Sequence, residues 1–337
     1  MSDLSRLGGK RFLVLGRAGM DLYPDPPGTR TQDARQFFAC LGGSSGNIAA
    51  ALARQGARVS LLSKLSEDAI GRFTRAELAK YGIDDRYVSV AGGDARTTLA
   101  FAETRVEDHQ SVIYRNGAAD FSLNLDDVEQ VDFAACDALI ATGTALAAEP
   151  SRSAVFQAFK VAQAAGVPVI LDIDYRPYSW PSLEVAAATY GQAAALCDVV
   201  VGNDVEFGVL AGDAAKGLAR ARDMAASTAQ IVVYKRGEDG AVTFANDTEH
   251  RTGIYPVTAL KPTGAGDAFM GSFVCALADG RDLRDAVLRG SAAAAIVVGR
   301  VGCAPAMPTP AELDDFLAGH SGPTEPLKDR TDAYRAL

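Results

Sequence analysis

The chain has 337 residues, of which 48% are hydrophobic and 22% charged, so it can bury a full core and is not an intrinsically disordered protein. Its formal net charge of −9, without a basic run, argues against a nucleic-acid-binding protein. The sequence contains no apolar run of membrane-spanning length and no signal peptide, so we expect no membrane partner and a cytoplasmic location.

The cysteines and histidines limit the chemistry that the chain can perform. None of the five cysteines belongs to a C-x-x-C pair, so we expect reduced, half-buried thiols rather than a zinc site or a disulfide framework. Three histidines are a poor supply for a histidine-based hydrolase or metal site, which leaves carboxylates as the expected acid and base groups.

Short apolar strands alternate with helical patterns along most of the chain. Strands are predicted at 11–16, 58–63, 137–143, 167–174, 198–203 and 230–237. Helices are predicted at 47–55, 68–80, 152–165, 184–195, 216–227, 264–278 and 284–298. This order indicates an α/β fold with a mostly parallel sheet that helices cover on both faces.

Two segments interrupt that alternation. Residues 17–40 contain DLYPDPPGTRTQD, which cannot be helical, and residues 86–118 contain two runs of alternating residues around an acidic turn. We expect both to form a small β lid over the carboxyl edge of the sheet, within one domain that covers residues 1–320. Residues 321–337 are polar and contain proline, which predicts a loosely ordered tail.

A first glycine motif, LGGSSGN over residues 41–47, opens the predicted helix 47–55. Gly42 and Gly43 let a ligand approach the backbone closely, and Asn47 offers a donor and an acceptor to sugar hydroxyls. A tight turn from strand to helix explains the same glycines equally well when the motif is taken alone.

Polar residues follow two predicted strands, at the edge where open α/β sheets bind ligands. The stretch Asp172-Ile173-Asp174-Tyr175-Arg176 ends one strand, and its Arg176 is placed to reach an anion. Asn203 and Glu206 follow the next strand, where a capping box is a competing explanation.

A second glycine motif, KPTGAGDA over residues 261–268, precedes apolar residues at helical spacing. The backbone amides of Gly264, Ala265 and Gly266 therefore lie at a helix N-terminus, where they are free to bind an anion. This arrangement suits the charge that develops in phosphoryl transfer. Asp267, in the first turn, is placed to accept a proton from an attacking hydroxyl.

The two glycine motifs, about two hundred residues apart, resemble the two signatures of the ribokinase-like (PfkB-type) carbohydrate kinases. The resemblance covers roughly residues 10–318 and departs from the family pattern at Ser272, where a second small Gly or Ala is usual. It implies a three-layer α/β/α fold with a β lid and ATP-dependent phosphorylation of a sugar hydroxyl.

The resemblance also implies roles for single residues. Asp267 acts as the base beside the amides of 264–266, and Asp21 holds substrate hydroxyls. Asn203 and Glu206 match an N-x-x-E motif whose Glu organises Mg²⁺ and phosphate through water. The turn that contains Lys235, Gly237 and Gly240 lies near the nucleotide, with a simple hairpin turn as the alternative. Residues 300–305 (RVGCAP) resemble a loop whose carbonyls hold a monovalent cation such as K⁺.

The substrate class is indicated by arginines near the expected cleft. A carboxylate is bound well by an arginine fork, and the candidates are Arg17, Arg30, Arg96, Arg105, Arg115 and Arg176. Arg115 and Arg176 are our first choices. The segments GRAGMDLYPDPPGT, ETRVEDHQSVIYRNGAADF, LDIDYRPYSW and LKPTGAGDAF are similar to family members that act on acidic keto sugars.

Three other interpretations stay open. A kinase of a related sugar acid uses the same chemistry, whereas kinases of neutral sugars do not need the arginines. A non-catalytic sugar-binding regulator on the same fold is disfavoured by the intact Asp267 and anion turn. The exposed edges of a lid sheet would also allow a homo-oligomer through the lid.

Overall fold

The computed structural model describes residues 2–245 and 248–326. Its strands are β1 (Arg11–Leu15), β2 (Gly19–Asp25), β3 (Gln36–Gly42), β4 (Arg58–Ser66), β5 (Val88–Ala91), β6 (Thr98–Ala102), β7 (Ser111–Tyr114), β8 (Ala138–Thr142), β9 (Val169–Asp172), β10 (Val199–Asn203), β11 (Ile231–Lys235), β12 (Ala241–Ala245) and β13 (Thr248–Thr252). Its α-helices are α1 (Ser44–Arg54), α2 (Ala69–Lys80), α3 (Leu125–Glu129), α4 (Ser151–Ala164), α5 (Leu183–Ala194), α6 (Asp204–Ala211), α7 (Gly217–Ser227), α8 (Ala265–Ala278), α9 (Leu283–Val298) and α10 (Pro310–Gly319).

The large sheet has the strand order β13-β12-β11-β10-β9-β8-β1-β4-β5. Strands β11 through β5 in that order pair in parallel, whereas β12 and β13 add an antiparallel edge. The predicted α/β fold with a mostly parallel sheet is confirmed. The six predicted strands and seven predicted helices are all present, with bounds that differ by a few residues.

The central strands read as continuous apolar runs because both faces of the sheet are buried. In β1, Leu13 and Leu15 pack into the cluster that contains α4 and α5. Phe12 and Val14, which point to the opposite face, pack with α1 and α8. The two helical layers therefore clamp the sheet, and the polar residues that follow its strands are left at its carboxyl edge.

The lid is a four-stranded sheet of order β3-β2-β6-β7. Its two hairpin pairs are antiparallel, and β2 joins β6 in parallel. The predicted lid segments are thus present, with one correction. The first strand of segment 86–118, β5, pairs with β4 in the large sheet, so it does not belong to the lid.

The C-terminal part of the described chain returns to the large sheet. The Thr324 amide donates to the carbonyl of Ile254 at 2.8 Å, so residues up to 326 follow the β13 region. Of the predicted tail, 321–337, residues 327–337 lie outside the described part of the chain. All five cysteines are buried free thiols. Within the part that the structure describes, no helix combines the length and apolar character needed to cross a bilayer.

Candidate active site

A cleft of about 290 Å³ lies between the carboxyl edge of the large sheet and the lid. Its walls come from the β1–β2 connection, the start of α1, the lid strands and the start of α8, and its polar lining includes Arg17, Asp21, Asn47, Arg176 and Asp267. A wider groove of about 620 Å³ lies on the surface of α4 and α5, where Lys160 is the single charged lining residue. The cleft under the lid is therefore the candidate active site.

The second glycine motif forms the floor of the cleft. Gly264 has a left-handed backbone (φ +85°) and caps α8, without a side chain bonded to the first-turn amides. A Cβ at this position would lie 2.7 Å from the Cys303 sulfur, so only glycine fits the turn without displacing its neighbour. The amides of Ala265 and Gly266 thus remain available at the positive end of the helix, as the sequence predicts.

Asp267 lies in the first turn of α8 and connects the two glycine motifs. Its Oδ2 accepts a 2.9 Å hydrogen bond from the side-chain amide of Asn47 at the start of α1. The carboxylate borders the cleft, yet enough protein surrounds it that burial raises its pKa to about 7, assisted by the nearby negative charge of Asp174. A carboxylate with that pKa can gain and lose a proton near neutral pH.

Asp21, on β2, projects into the same cleft. Burial raises the pKa of Asp21 to about 6, although the charge of Arg17 and the Tyr23 hydroxyl oppose the rise. The carboxylate rests against Gly42, where a built Cβ would overlap Asp21 Oδ1. Gly42 therefore leaves room for the acid, and Gly43 itself lines the cleft.

Arg17, one of the candidate arginines, lies in the cleft although it was not a first choice. Its side chain is only 6% exposed, and no hydrogen bond or ion pair joins its guanidinium to another residue within 2–245 and 248–326. The positive charge lowers the pKa values of three surrounding acids, Asp21, Asp174 and Asp267. A buried guanidinium without a partner is costly unless a ligand anion completes it.

Arg176 follows β9 and borders the cleft, as predicted. It forms an ion pair with Asp174 at 2.6 Å while its own side chain stays 40% exposed. Burial alone would raise the pKa of Asp174, but this ion pair holds it below its usual range. Asp174 adopts a left-handed backbone (φ +42°), a strained conformation for a residue other than glycine. The Asp174 carboxylate thus holds Arg176 beside the cleft through the ion pair.

Arg115 has surroundings different from those we expected. Its guanidinium forms a buried ion pair with Asp120, donates to the Thr144 carbonyl at 3.2 Å and lies 4.0 Å above the Phe121 ring. The ion pair with Asp120 already neutralises the charge that a ligand carboxylate would need, although the buried Nε of Arg115 has no partner among the described residues. These contacts favour a role of Arg115 in bracing the wall of the site. Arg17 and Arg176 line the cleft and are therefore the better placed candidates for binding an acid.

Asn203 and Glu206 form the capping box that competed with the functional interpretation. The Asn203 side chain accepts from the Glu206 amide at 2.9 Å, and Glu206 Oε2 accepts from the Asn203 amide at 2.7 Å. Glu206 Oε1 accepts from the Tyr175 amide at 3.1 Å. Because both oxygens already accept amide hydrogens, the donor set fits contact with Mg²⁺ through water better than direct ligation. Burial raises the pKa of Glu206.

Lys235, at the end of β11, reaches the anion turn. A Cβ on Gly266 would lie 3.5 Å from its ammonium nitrogen, so this cation stands beside the free amides of α8. Its charge lowers the pKa of both Asp172 and Glu206 against the effect of their burial. Gly237 and Gly240 lie farther along, in the turn that joins β11 to β12.

Several buried polar atoms around the cleft lack partners within the described residues, and sequence reasoning did not single out two of their owners. The atoms are Asn47 Oδ1, His109 Nδ1, Asp174 Oδ2 and Thr263 Oγ1. His109 belongs to the acidic turn of the lid hairpin, and Thr263 precedes the anion turn. Buried polar groups are normally satisfied, so this cluster indicates a polar ligand.

The predicted monovalent-cation loop, residues 300–305, packs against the anion turn through Cys303. A side-chain cation lies beside that loop, close enough for the Cys303 thiol to act on it. The ammonium of Lys261 is fully buried and donates to the carbonyls of Thr263 at 2.6 Å and Val297 at 3.3 Å. The residues present therefore do not fit an additional monovalent cation beside that ammonium.

Comparison with known sequences agrees with this geometry. Residues 10–310 match the model of the pfkB family carbohydrate kinases. The chain is 38% identical over 310 residues to the 5-dehydro-2-deoxygluconokinase of Photobacterium profundum, covering 90% of this chain and 94% of the relative. It is 34% identical over 314 residues to the protein of the same name from Geobacillus kaustophilus, covering 92% and 94%.

Solved structures give the same result for the fold. The PfkB protein from Polaromonas sp. JS666 matches with a TM-score of 0.78 and 29% identity, covering 90% of this chain and 99% of that one. A double-mutant fructokinase from Vibrio cholerae O395, in a form with fructose, ADP and potassium ion bound, matches with a TM-score of 0.79 and 26% identity, covering 91% and 98%. The predicted ribokinase-like fold is confirmed.

Proposed function

This chain belongs to the pfkB family of carbohydrate kinases, and we propose that it transfers the γ-phosphoryl group of ATP to the 6-hydroxyl of 5-dehydro-2-deoxygluconate, an acidic keto sugar of inositol catabolism. The names of the curated relatives, at 34% and 38% identity over most of the chain, support this substrate. The observation that carries the proposal is the buried, unpartnered guanidinium of Arg17 in the cleft that contains Asp267.

The chemical step uses Asp267 as the general base. Its carboxylate takes the proton of the sugar hydroxyl, whose oxygen forms a bond to the γ-phosphorus while the bond to the bridging oxygen of ADP breaks. The amides of Gly264, Ala265 and Gly266 stabilise the charge on the transferring group from the end of α8. Asn47 holds the Asp267 carboxylate in place through its 2.9 Å hydrogen bond.

The nucleotide lies on the α8 side of the cleft in this proposal. Lys235, beside Gly266, contacts the phosphates, and the turn with Gly237 and Gly240 borders the nucleotide. When bound, Mg²⁺ neutralises the charge of the nucleotide phosphates. Glu206 orients the water shell of the ion, and Asn203 fixes that carboxylate through the capping box.

The sugar lies on the lid side. Asp21 accepts its hydroxyls, and Arg17 and Arg176 bind its carboxylate. A neutral sugar would offer no carboxylate to the guanidinium donors of Arg17, which make no hydrogen bond among the described residues although the charges of Asp21, Asp174 and Asp267 act on this arginine. The same argument applies to 2-dehydro-3-deoxygluconate, a second sugar acid with a similar carboxylate, and weighs against fructose and ribose.

The experiment is a turnover assay with ATP and a substrate panel: 5-dehydro-2-deoxygluconate, 2-dehydro-3-deoxygluconate, fructose and ribose. ADP release gives the rates, and phosphorus NMR of the product identifies the hydroxyl that is phosphorylated. We expect the highest kcat/KM with 5-dehydro-2-deoxygluconate and the phosphate on its 6-hydroxyl.

Three other outcomes of this assay would each contradict one part of the proposal. A higher kcat/KM for 2-dehydro-3-deoxygluconate would keep the acidic class and replace the substrate. Equal or better turnover of fructose would remove the acidic class. Sugar binding without ADP release would indicate the non-catalytic regulator, provided that the same preparation binds ATP.

Association through the lid is a further part of the proposal. Ala100 and Ile113 face the cleft, so Phe101, Val112 and Tyr114 point to the outer face of the lid. There Phe101 makes edge-to-face contacts with Phe37 and Tyr114 at 5.4 and 6.0 Å between ring centroids. Such an exposed apolar face supports a second copy as its partner. Sedimentation of the Tyr114→Glu variant beside the unmodified chain tests it, since an unchanged mass would contradict this surface.

A further inference from the structure

Lys261 is a fully buried lysine, although lysine is among the residue types least often buried. Desolvation lowers its pKa, whereas the charges of Asp267 and Asp21 and the nearby thiols of Cys303 and Cys40 act in the opposite direction. The ammonium donates to two backbone carbonyls, of Thr263 and Val297, at 2.6 and 3.3 Å. These bonds are the reason that the buried charge is tolerated.

The two carbonyls belong to different parts of the active site. Thr263 lies immediately before Gly264, so its carbonyl is part of the turn that presents the free amides of α8. Val297 lies in the last turn of α9, at the negative end of the helix dipole, and its carbonyl also accepts from the Arg300 amide at 3.1 Å. The ammonium therefore ties the anion turn to the end of α9 through hydrogen bonds to backbone carbonyls.

Backbone carbonyls arranged around one positive charge are also the way in which proteins hold a dehydrated potassium ion. The loop from 300 to 305, where a monovalent cation was expected, begins immediately after α9 and contacts Gly264 through Cys303. Lys261 thus delivers a single positive charge to carbonyl oxygens at the junction where that ion was expected.

We propose that the Lys261 ammonium is a built-in substitute for a monovalent cation, which keeps the anion turn in its active geometry and makes the kinase independent of potassium. The proposal concerns the positioning of the turn, so it does not depend on which sugar is phosphorylated. It predicts a response to ions that an ordinary buried lysine would not produce.

The first experiment measures the activity of the unmodified enzyme at constant ionic strength, in potassium chloride and in tetramethylammonium chloride. Tetramethylammonium is too large to enter a carbonyl cage of this kind. We expect the same kcat in both salts. A rate that rises severalfold with potassium would overturn the proposal.

The second experiment removes the ammonium. In tetramethylammonium chloride, Lys261→Ala should lose about tenfold or more in kcat, because the donors of the anion turn are no longer held in position. Potassium or ammonium ions should restore part of the loss by entering the space left by the side chain. Lys261→Met, which fills that space with an apolar chain, should lose activity without being restored. The control is Lys216→Ala, whose side chain is 72% exposed.

Two results of the variants would overturn the proposal. One is full activity of Lys261→Ala without potassium, and the other is a loss in that variant that neither potassium nor ammonium repairs. Thermal unfolding gives a readout without any substrate. Potassium should raise the Tm of Lys261→Ala over that in tetramethylammonium and leave the unmodified chain unchanged. If the enzyme shows no turnover but potassium still raises the Tm of Lys261→Ala, the sugar used in the assay is wrong and the role of Lys261 stands.

Discussion

The side-chain amide of Asn47 donates a 2.9 Å hydrogen bond to Oδ2 of Asp267, across 220 positions of the chain. This contact joins the start of α1, which follows the first glycine motif, to the start of α8, which follows the second. It favours the ionised carboxylate, in opposition to burial. The Asn47 carbonyl oxygen is left without a partner among the described residues, so the same side chain can both orient the base and contact a ligand hydroxyl.

Removing the charge of the base tests the role of Asp267. Asp267→Asn should keep the fold and ATP binding but lower kcat by about 10² to 10⁴, the usual range for a general base. Steady-state kinetics and calorimetric ATP titration measure the two quantities. The matched control is Asp279→Asn at the other end of α8, where the carboxylate pairs with Lys10. Activity within a few fold of the unmodified enzyme would reduce Asp267 to an ordinary first-turn acid.

The raised pKa of Asp267, about 7, predicts a pH dependence of both activity and stability. The base must be ionised, so kcat/KM should fall about tenfold per pH unit below pH 7 and level off above it. The free energy of unfolding should change in the opposite direction and fall as the pH rises. Because the folded state holds this proton more tightly than the unfolded state, stability is lost as the pH rises from about 4 through 7.

A comparison of two Tm profiles checks the stability part of that prediction. Asp267→Asn cannot ionise, so its Tm should exceed that of the unmodified chain by several degrees at pH 8 and by much less at pH 5. A difference that does not depend on pH would contradict the raised pKa. A rate that stays level down to pH 5 would contradict the assignment of Asp267 as the titrating base.

The unpartnered guanidinium of Arg17 should distinguish acidic from neutral sugars. Arg17→Met should lower kcat/KM for the sugar acid by roughly 30- to 10³-fold or more, because the loss of one partner of a desolvated charge pair costs about 2–5 kcal/mol. Residual turnover of fructose should change much less. The kcat/KM of Arg17→Lys for the sugar acid should lie between that of the unmodified enzyme and that of Arg17→Met, since lysine keeps the charge without the planar fork. Arg30→Met, on the exposed part of the lid, is the control. Equal losses on both sugars would assign Arg17 to phosphate or to packing.

Gly42 tests whether Asp21 needs its present position. A methyl group at residue 42 would overlap Asp21 Oδ1, so Gly42→Ala should displace the acid and raise the KM for the sugar by about tenfold. The KM for ATP should stay the same. Gly191→Ala in α5 is the matched control, because a Cβ there meets open space. A parallel rise in both KM values would show that the substitution disturbs the whole turn rather than Asp21.

The sequence was sufficient to predict the strands and helices whose apolar residues follow a clear local pattern. The apolar strands β1, β8 and β10 and the amphipathic helices were predictable because burial imposes the pattern directly. The edge pair β12 and β13 was not predicted as separate strands. Strand β13 is the polar, partly exposed segment TEHRT, which lacks an apolar pattern, and β12 is a buried strand of only five residues. The sequence indicated the capping box of α6 but not the helix itself, because the helix has only eight residues and its apolar residues do not form a clear amphipathic pattern.

The site was predictable in its motifs and less so in its electrostatics. Asp267 and the anion turn are adjacent in sequence, so their geometry follows from one helix start. The sequence favoured Arg115 over Arg17, because only the folded chain shows that Asp120 pairs directly with Arg115. The Arg17 guanidinium forms no hydrogen bond or ion pair among the described residues, although the charges of nearby acids act on it. Lys261 stood in the quoted motif, but its burial between two backbone carbonyls depends on the end of α9, which lies 36 residues farther along the chain.

The lid gives the last prediction, which hydrogen exchange can test segment by segment. Strands β6 and β7 line the cleft through Ala100, Ala102, Ser111 and Ile113, but β7 is an edge strand whose residues are largely exposed. Closure over the sugar acid should exclude water from the transferring group and protect the amides of 97–115 and those near Asp21. ATP alone should protect the start of α8 instead. If the sugar acid slows exchange nowhere in 97–115 at a concentration that saturates turnover, this hairpin is not a substrate lid, and recognition of the carboxylate then has to come from Arg17 and Arg176 on the rigid edge of the sheet.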